Sequence, residues 1–75
     1  MDFSWAMEQI KQEENIVRAG WNGKGMYCFS QIPDEESMMT HPYIVMFIPN
    51  CEEGKRLVPW QPAQVDLFAE DWELL

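Results

Sequence analysis

One stretch of this chain, Arg18-Ala19-Gly20-Trp21-Asn22-Gly23-Lys24-Gly25-Met26, gathers two cations, an indole and three glycines. Asn22-Gly23 is a strong hairpin-turn signal, because a tight turn needs residues that tolerate positive φ. Gly20 and Gly25 exceed what the turn requires; glycine on both flanks bares backbone N–H groups to an incoming ligand. Beside such a cradle Trp21 is a stacking wall, and a base stacked on an aromatic ring gains about 1–3 kcal/mol. Asn22 can read a polar edge, Lys24 can neutralise a phosphate, and Arg18 can offer it a paired contact. The chemistry implied is non-covalent capture of a small planar or phosphorylated molecule. The plainer reading is a hairpin whose Trp21 packs in the core, whose Lys24 is solvated and whose Arg18 pairs with a glutamate. Local chemistry alone favours that plainer reading.

A second group lies near the other end. Trp60 and Gln64 flank the expected start of a helix, whose positive dipole end favours an anion such as a diphosphate. Asp66 can accept from a ribose hydroxyl or hold a nearby loop, and Trp60 can equally pack at a sheet end. Asp71 and Trp72 read as a cap-and-core pair closing that helix. His41, Cys28 and Cys51 match no zinc spacing and lack a fourth ligand, so no metal site is expected. With one histidine, in a loop, and no nucleophile beside a base, nothing points to an enzyme or to a bound cofactor.

The elements that must carry these groups follow from periodicity. Phe3, Ala6, Met7 and Ile10 fall at i, i+3, i+4 and i+7, so residues 3–12 form an amphipathic helix. Asp2 or Ser4 caps it, and Glu8, Lys11 and Gln12 face water. Ile16-Val17 and Met26-Tyr27-Cys28-Phe29 are the strands of a hairpin. Residues 33–42 are polar and acidic and form a loop, in which Met38 and Met39 fold over a pocket or a neighbouring subunit. Residues 43–48 are apolar at every position, a strand with both faces covered. Leu57-Val58 is a further short strand. Pro62 fits the first turn of a second helix that runs to Ala69 with Val65, Phe68 and Ala69 on one face. Trp72-Glu73-Leu74-Leu75 is a closing strand. The order α-β-β-β-β-α-β makes residues 1–75 a single compact α+β domain: a small, mainly antiparallel sheet with an N-terminal amphipathic helix and a short second helix near the C-terminus.

Composition narrows the partners. Thirteen acids against five Lys and Arg give a formal charge of −8, which argues against long nucleic acid, where cations supply most of the affinity. A small phosphorylated ligand is still compatible, since backbone amides can hold one locally. No apolar run is long enough to cross a bilayer, and the start shows no signal peptide, so a cytoplasmic, reduced environment is expected. Four tryptophans, four phenylalanines, two tyrosines and six methionines are more apolar surface than one core of 75 residues hides. Self-association is therefore expected. The paired acids Glu13-Glu14, Asp34-Glu35-Glu36 and Glu52-Glu53 read as solvated turns that keep such an assembly soluble.

With its segments placed, the chain resembles the bacteriophage Thoeris anti-defence type-two domain family, small signal-sequestering "sponge" proteins. The resemblance rests on the helix of residues 3–12, on Val17-Arg18-Ala19-Gly20-Trp21-Asn22-Gly23-Lys24-Gly25-Met26, and on Val58-Pro59-Trp60-Gln61-Pro62-Ala63-Gln64-Val65-Asp66-Leu67-Phe68-Ala69-Glu70-Asp71-Trp72. These blocks span nearly the whole chain in the family's order. The resemblance implies a compact α+β protein that assembles as a homotetramer and is not an enzyme. It implies binding and sequestration, without cleavage, of cyclic nucleotide messengers made by bacterial TIR-domain enzymes: glycocyclic ADP-ribose isomers, with cyclic dinucleotides at separate sites in some members. The place of action would be the cytoplasm of the infected host. On this view Arg18, Trp21, Asn22, Gly23, Lys24, Gly25, Trp60, Gln64 and Asp66 are the ligand-binding candidates, and Trp21 becomes a stacking wall. Two departures bear on the ligand: Ala63 stands where relatives usually carry serine, and residues 30–42 are short, acidic and this chain's own. The alternative is an acidic inhibitor or nucleic-acid mimic that binds a host defence protein. Mimicry needs carboxylates spaced like phosphates along one face, whereas these are scattered over several turns.

Overall fold

The computed structural model describes residues 1–21, 25–51 and 54–75, with side chains described at all of these except 50, 51, 54 and 55. Helix α1 spans Phe3–Lys11, followed by strands β1 (Ile16–Arg18), β2 (Tyr27–Gln31), β3 (Tyr43–Cys51) and β4 (Gly54–Pro59). Helix α2 (Gln64–Phe68) and strand β5 (Trp72–Leu74) complete the chain. The element order matches expectation, and the domain is α+β with a five-stranded sheet ordered β4-β3-β2-β1-β5. Every neighbouring pair in the sheet is antiparallel.

Asp2 caps α1, its Oδ1 accepting from Trp5 N at 2.9 Å and satisfying a donor the helix cannot pair itself. The stripe foreseen for this helix is the one it buries: Ala6 and Ile10 meet Ile16, Cys28, Met46 and Trp72, with Phe3 and Met7 packed around them. Register explains which strand residues share that core. Ile16 opposes Cys28, Cys28 opposes Met46 and Met46 opposes Val58, so one row crosses four strands on the helix side.

The opposite face carries Tyr27, Phe29, Val45, Phe47 and Leu57. The Tyr27 and Phe47 rings stack with centroids 5.0 Å apart, and Leu57 is 57% exposed. Within one chain, residues 43–48, expected to be covered on both sides, are covered by a helix on the α1 side alone: among the described residues no helix lies over this face, although Val45 on it is 6% exposed. Continuous apolarity in β3 arises because alternate residues serve two surfaces, one packed under α1 and one open.

The second helix also departs from expectation. It is five residues long and begins after Ala63, so Pro62 lies outside it. Val65 is 69% and Phe68 82% exposed, and the residue turned inward is Asp66, 8% exposed. Periodicity of apolar positions failed here because a buried carboxylate, held by partners distant in sequence, sets the orientation of this helix.

Chain termini are tied together. Met1 N donates to Glu70 O and Trp72 O at 2.9 and 3.1 Å, and Trp72 N donates to Met1 O at 3.0 Å.

Candidate functional site

Arg18 ends β1 opposite Trp72 of β5, and its guanidinium reaches two carboxylates from the C-terminal part of the chain. Nε donates to Asp71 Oδ1 at 2.7 Å, Nη2 to Asp71 Oδ2 at 3.5 Å and Nη1 to Asp66 Oδ1 at 2.8 Å. The Arg18 side chain keeps 19% of its surface exposed, so the cluster is roofed but not sealed. Asp71 also accepts from Gly20 N at 2.8 Å through Oδ2, while its carbonyl accepts from Ala19 N at 3.0 Å. One aspartate thus holds three consecutive residues at the end of β1. Hydrogen bonding from Arg18, then from Gly20, keeps the Asp71 carboxyl below the usual carboxylate range against a desolvation cost.

Asp66 links this cluster to α2. Burial by itself would raise its carboxyl, but hydrogen bonds from Ala63 N, Arg18 and Trp21 outweigh burial and hold it below its ordinary value. Its Oδ2 accepts from Ala63 N at 2.9 Å, and Trp21 Nε1 makes a longer 3.4 Å contact with Oδ1. The start of α2, expected to attract a ligand anion, therefore already holds an anion of the chain's own. Ala63 has no side-chain acceptor, so only the returning half of a capping arrangement forms.

Above these charges sits a tryptophan cluster. Trp21 meets Trp60 edge-on with centroids 6.0 Å apart and Trp72 edge-on at 5.5 Å; Trp60 and Trp72 are 6.0 Å apart. Edge-to-face pairs of this kind contribute about 0.5–1.5 kcal/mol each beyond their burial. Trp72 is buried, with Nε1 donating to Asp66 O at 3.0 Å, whereas Trp21 and Trp60 are half-buried and retain solvent-facing surface.

The structure brings Arg18, Trp21, Trp60 and Asp66 together from three separate parts of the chain. Gln64 is exposed at the first position of α2. Gly25 has φ +82, a conformation L side chains rarely adopt, so its glycine is required by the backbone itself. Asn22, Gly23 and Lys24 lie outside the described residues. The Gly20 N–H, read as open to a ligand, is occupied by Asp71, and a Cβ at Gly20 would lie 2.8 Å from that carboxylate oxygen. Asp71 closes a long-range ion pair instead of capping α2, which ends at Phe68 with Ala69 as its C-cap. Its partnership with Arg18 was missed because it spans 53 residues, and the acid weighed for Arg18 was a glutamate. Trp72 was read as core, but its joining of Trp21 to Trp60 had no signal in spacing.

Such a site can present aromatic surface and residual guanidinium N–H groups to a flat, polar molecule. Among the described residues no group of three or more His, Cys, Asp or Glu is placed to hold a metal ion. Cys28 is buried with a free thiol, and burial, aided by Asp66, pushes its pKa up to about 12. The Cys51 side chain lies outside what is described.

Comparison with known proteins supplies a further finding. A family model for the Thoeris anti-defense 2-like domain matches residues 1–75. A protein of Bacillus phage SP01, Thoeris anti-defense 2, is 30% identical over 86 aligned positions that cover all of this chain and 94% of that protein.

Proposed function

The chain belongs to the Thoeris anti-defense 2-like domain family, which gives it a role in phage resistance to Thoeris defence, and from that premise we propose that it acts by sequestering a cyclic nucleotide messenger without cleaving it. The observation that carries this reading is the half-buried Trp21–Trp60 pair, held over the Arg18–Asp66 ion pair beside the glycine-rich stretch. The proposed ligands are glycocyclic ADP-ribose isomers and, at separate sites, cyclic dinucleotides. Trp21 and Trp60 supply the stacking surface, while Gln64 and the segment Asn22-Gly23-Lys24-Gly25 supply polar contacts. Arg18 has five N–H donors, of which three reach aspartates, so it can still address a phosphate while it positions Trp21 through Asp66. Reversible capture needs no nucleophile and no resident cofactor; the messenger leaves unchanged.

A homo-oligomer, as tetramer, is part of the same proposal. The open sheet face bearing Tyr27, Phe29, Phe47 and Leu57 supports it: these positions carry no charge in a chain of formal charge −8, so copies can approach there with least repulsion. The proposed place of action is the cytoplasm of the infected bacterium; among the described residues no helix is long and apolar enough to cross a membrane.

Isothermal calorimetry of the purified protein against both messenger classes tests the reading, followed by heat release and recovery of intact ligand. Submicromolar binding is expected, weakened roughly 5- to 150-fold by Trp21→Ala, in line with the loss of about 1–3 kcal/mol of stacking. Degraded ligand, or a flat trace across the panel, would overturn it.

A further inference from the structure

Asp71 stands outside the set of ligand-binding candidates, yet its side chain and its main chain both hold the residues just before Trp21. Its Oδ2 accepts from Gly20 N at 2.8 Å, its carbonyl from Ala19 N at 3.0 Å and its Oδ1 from Arg18 Nε at 2.7 Å. Trp21 N in turn donates to Arg18 O at 3.2 Å, so the main chain of Trp21 is suspended from the same three residues. The neighbour of Asp71, Trp72, meets the Trp21 ring edge-on with centroids 5.5 Å apart. Two consecutive residues thus hold the backbone and the ring of one tryptophan.

Gly20 shows how close this hold is. It lacks the positive φ that makes glycine obligatory at Gly25, so its backbone would accept alanine. The space around it would not, because a Cβ there would lie 2.8 Å from Asp71 Oδ2. That oxygen ends a short side chain, and it can yield only by giving up its bond to Gly20 N or its place against Arg18. Glycine at this position is explained by the carboxylate it admits.

We propose that Asp71 is a positioning residue for ligand capture: by locking Gly20 at the end of β1 it sets where Trp21 presents its ring. This inference rests on the sequestering reading of the site. Asp71 acts through Trp21, since direct contact would set its carboxylate against the phosphates of the ligand. Asp66 holds the Arg18 guanidinium and, at 3.4 Å, the Trp21 indole N–H, whereas the Ala19 and Gly20 N–H groups belong to Asp71. A supporting residue of this kind keeps the groups in front of it in productive geometry.

The test labels the intact chain with 5-fluorotryptophan and assigns the four fluorine resonances by single substitutions to Phe. Asp71→Ala and, separately, Gly20→Ala should displace the Trp21 resonance and leave that of Trp5, on α1, in place. Each should weaken the glycocyclic ADP-ribose isomers about 2- to 30-fold, the range for a residue that acts on a site it does not touch. Combined, they should cost no more than either alone, because they break one lock. Asp71→Asn, which keeps an acceptor for Gly20 N, should recover part of the shift. If Asp71→Ala does not fold, Gly20→Ala and Asp71→Asn carry the same comparison. A Trp21 resonance unmoved in the folded variants would overturn the proposal, as would a displaced Trp21 with unchanged affinity. Losses that add in the double variant would also overturn it, because Gly20 would then meet the ligand directly. Should the parent protein bind none of the isomers, the sequestering reading falls, and the fluorine shifts still decide whether Asp71 places Trp21.

Discussion

Arg18 ties the end of β1 to two aspartates that come from beyond the sheet's fourth strand. Replacing Asp66 with Asn keeps shape but removes a charge-assisted partner from a nearly buried site. A loss of about 2 kcal/mol is expected, read from the urea midpoint. The ion pairs also set an acid limit. Asp66 and Asp71 are held below their ordinary values when folded, so their contribution is complete above the unfolded value of about 3.9 and is lost as pH falls from there through the depressed folded values. Asp66→Asn should flatten that acid transition. Cys28 sets the opposite limit. Its folded pKa, about 12, lies above an unfolded value of about 8.5, so stability from this group is present below 8.5 and falls as pH rises toward 12. In a Cys51→Ser background Cys28 should resist alkylation by iodoacetamide at pH 8 and react once urea unfolds the chain; rapid labelling of native protein would refute its burial.

At the scale of elements, both helices were legible, but only for α1 was the buried face legible as well. The nine residues of α1 show an apolar stripe because the sheet beneath is apolar, and Asp2 supplies a cap in the expected place. The five residues of α2 are too few to be stable alone and take their orientation from Asp66. Apolar periodicity placed Val65, Phe68 and Ala69 on one face; Ala69 packs against the core, whereas Val65 and Phe68 are exposed and Asp66, paired with Arg18 of β1, turns inward. Ala63 is the weak point of this element: its backbone is extended, with φ −78 and ψ 168, as a capping residue requires, yet it has no acceptor. Ala63→Ser should raise stability by about 0.5–1 kcal/mol by accepting from the N–H of Val65 or Asp66. Calorimetric melting measures it, and an unchanged midpoint would show that α2 gains nothing from a cap.

Considered whole, the molecule has one sheet face closed by α1 and one left open. Leu57 lies opposite Phe47 on the open face, on the edge strand β4, and is more than half exposed, so Leu57→Lys places a charge on that face with little effect on the closed core. If that face joins copies, light scattering should show the variant at lower mass with unchanged helix content. A mass equal to that of the parent protein would place the contact elsewhere.

The sequence by itself determined the number, order and type of the elements, the α+β class, the first helix's buried stripe and the family. Those features depend on local rules, namely the period of apolar residues, turn chemistry and motif order, which act over a few positions. The tertiary structure alone decided which residues at the candidate site face one another. Arg18 meets Asp71 across 53 positions, Trp21 meets Trp60 and Trp72, and Gly20 gives its N–H to a carboxylate and not to a ligand. No period connects such positions. Their meeting is fixed by strand register, by β5 pairing antiparallel to β1, and by the free-energy cost of leaving a nearly buried Asp66 without its cation.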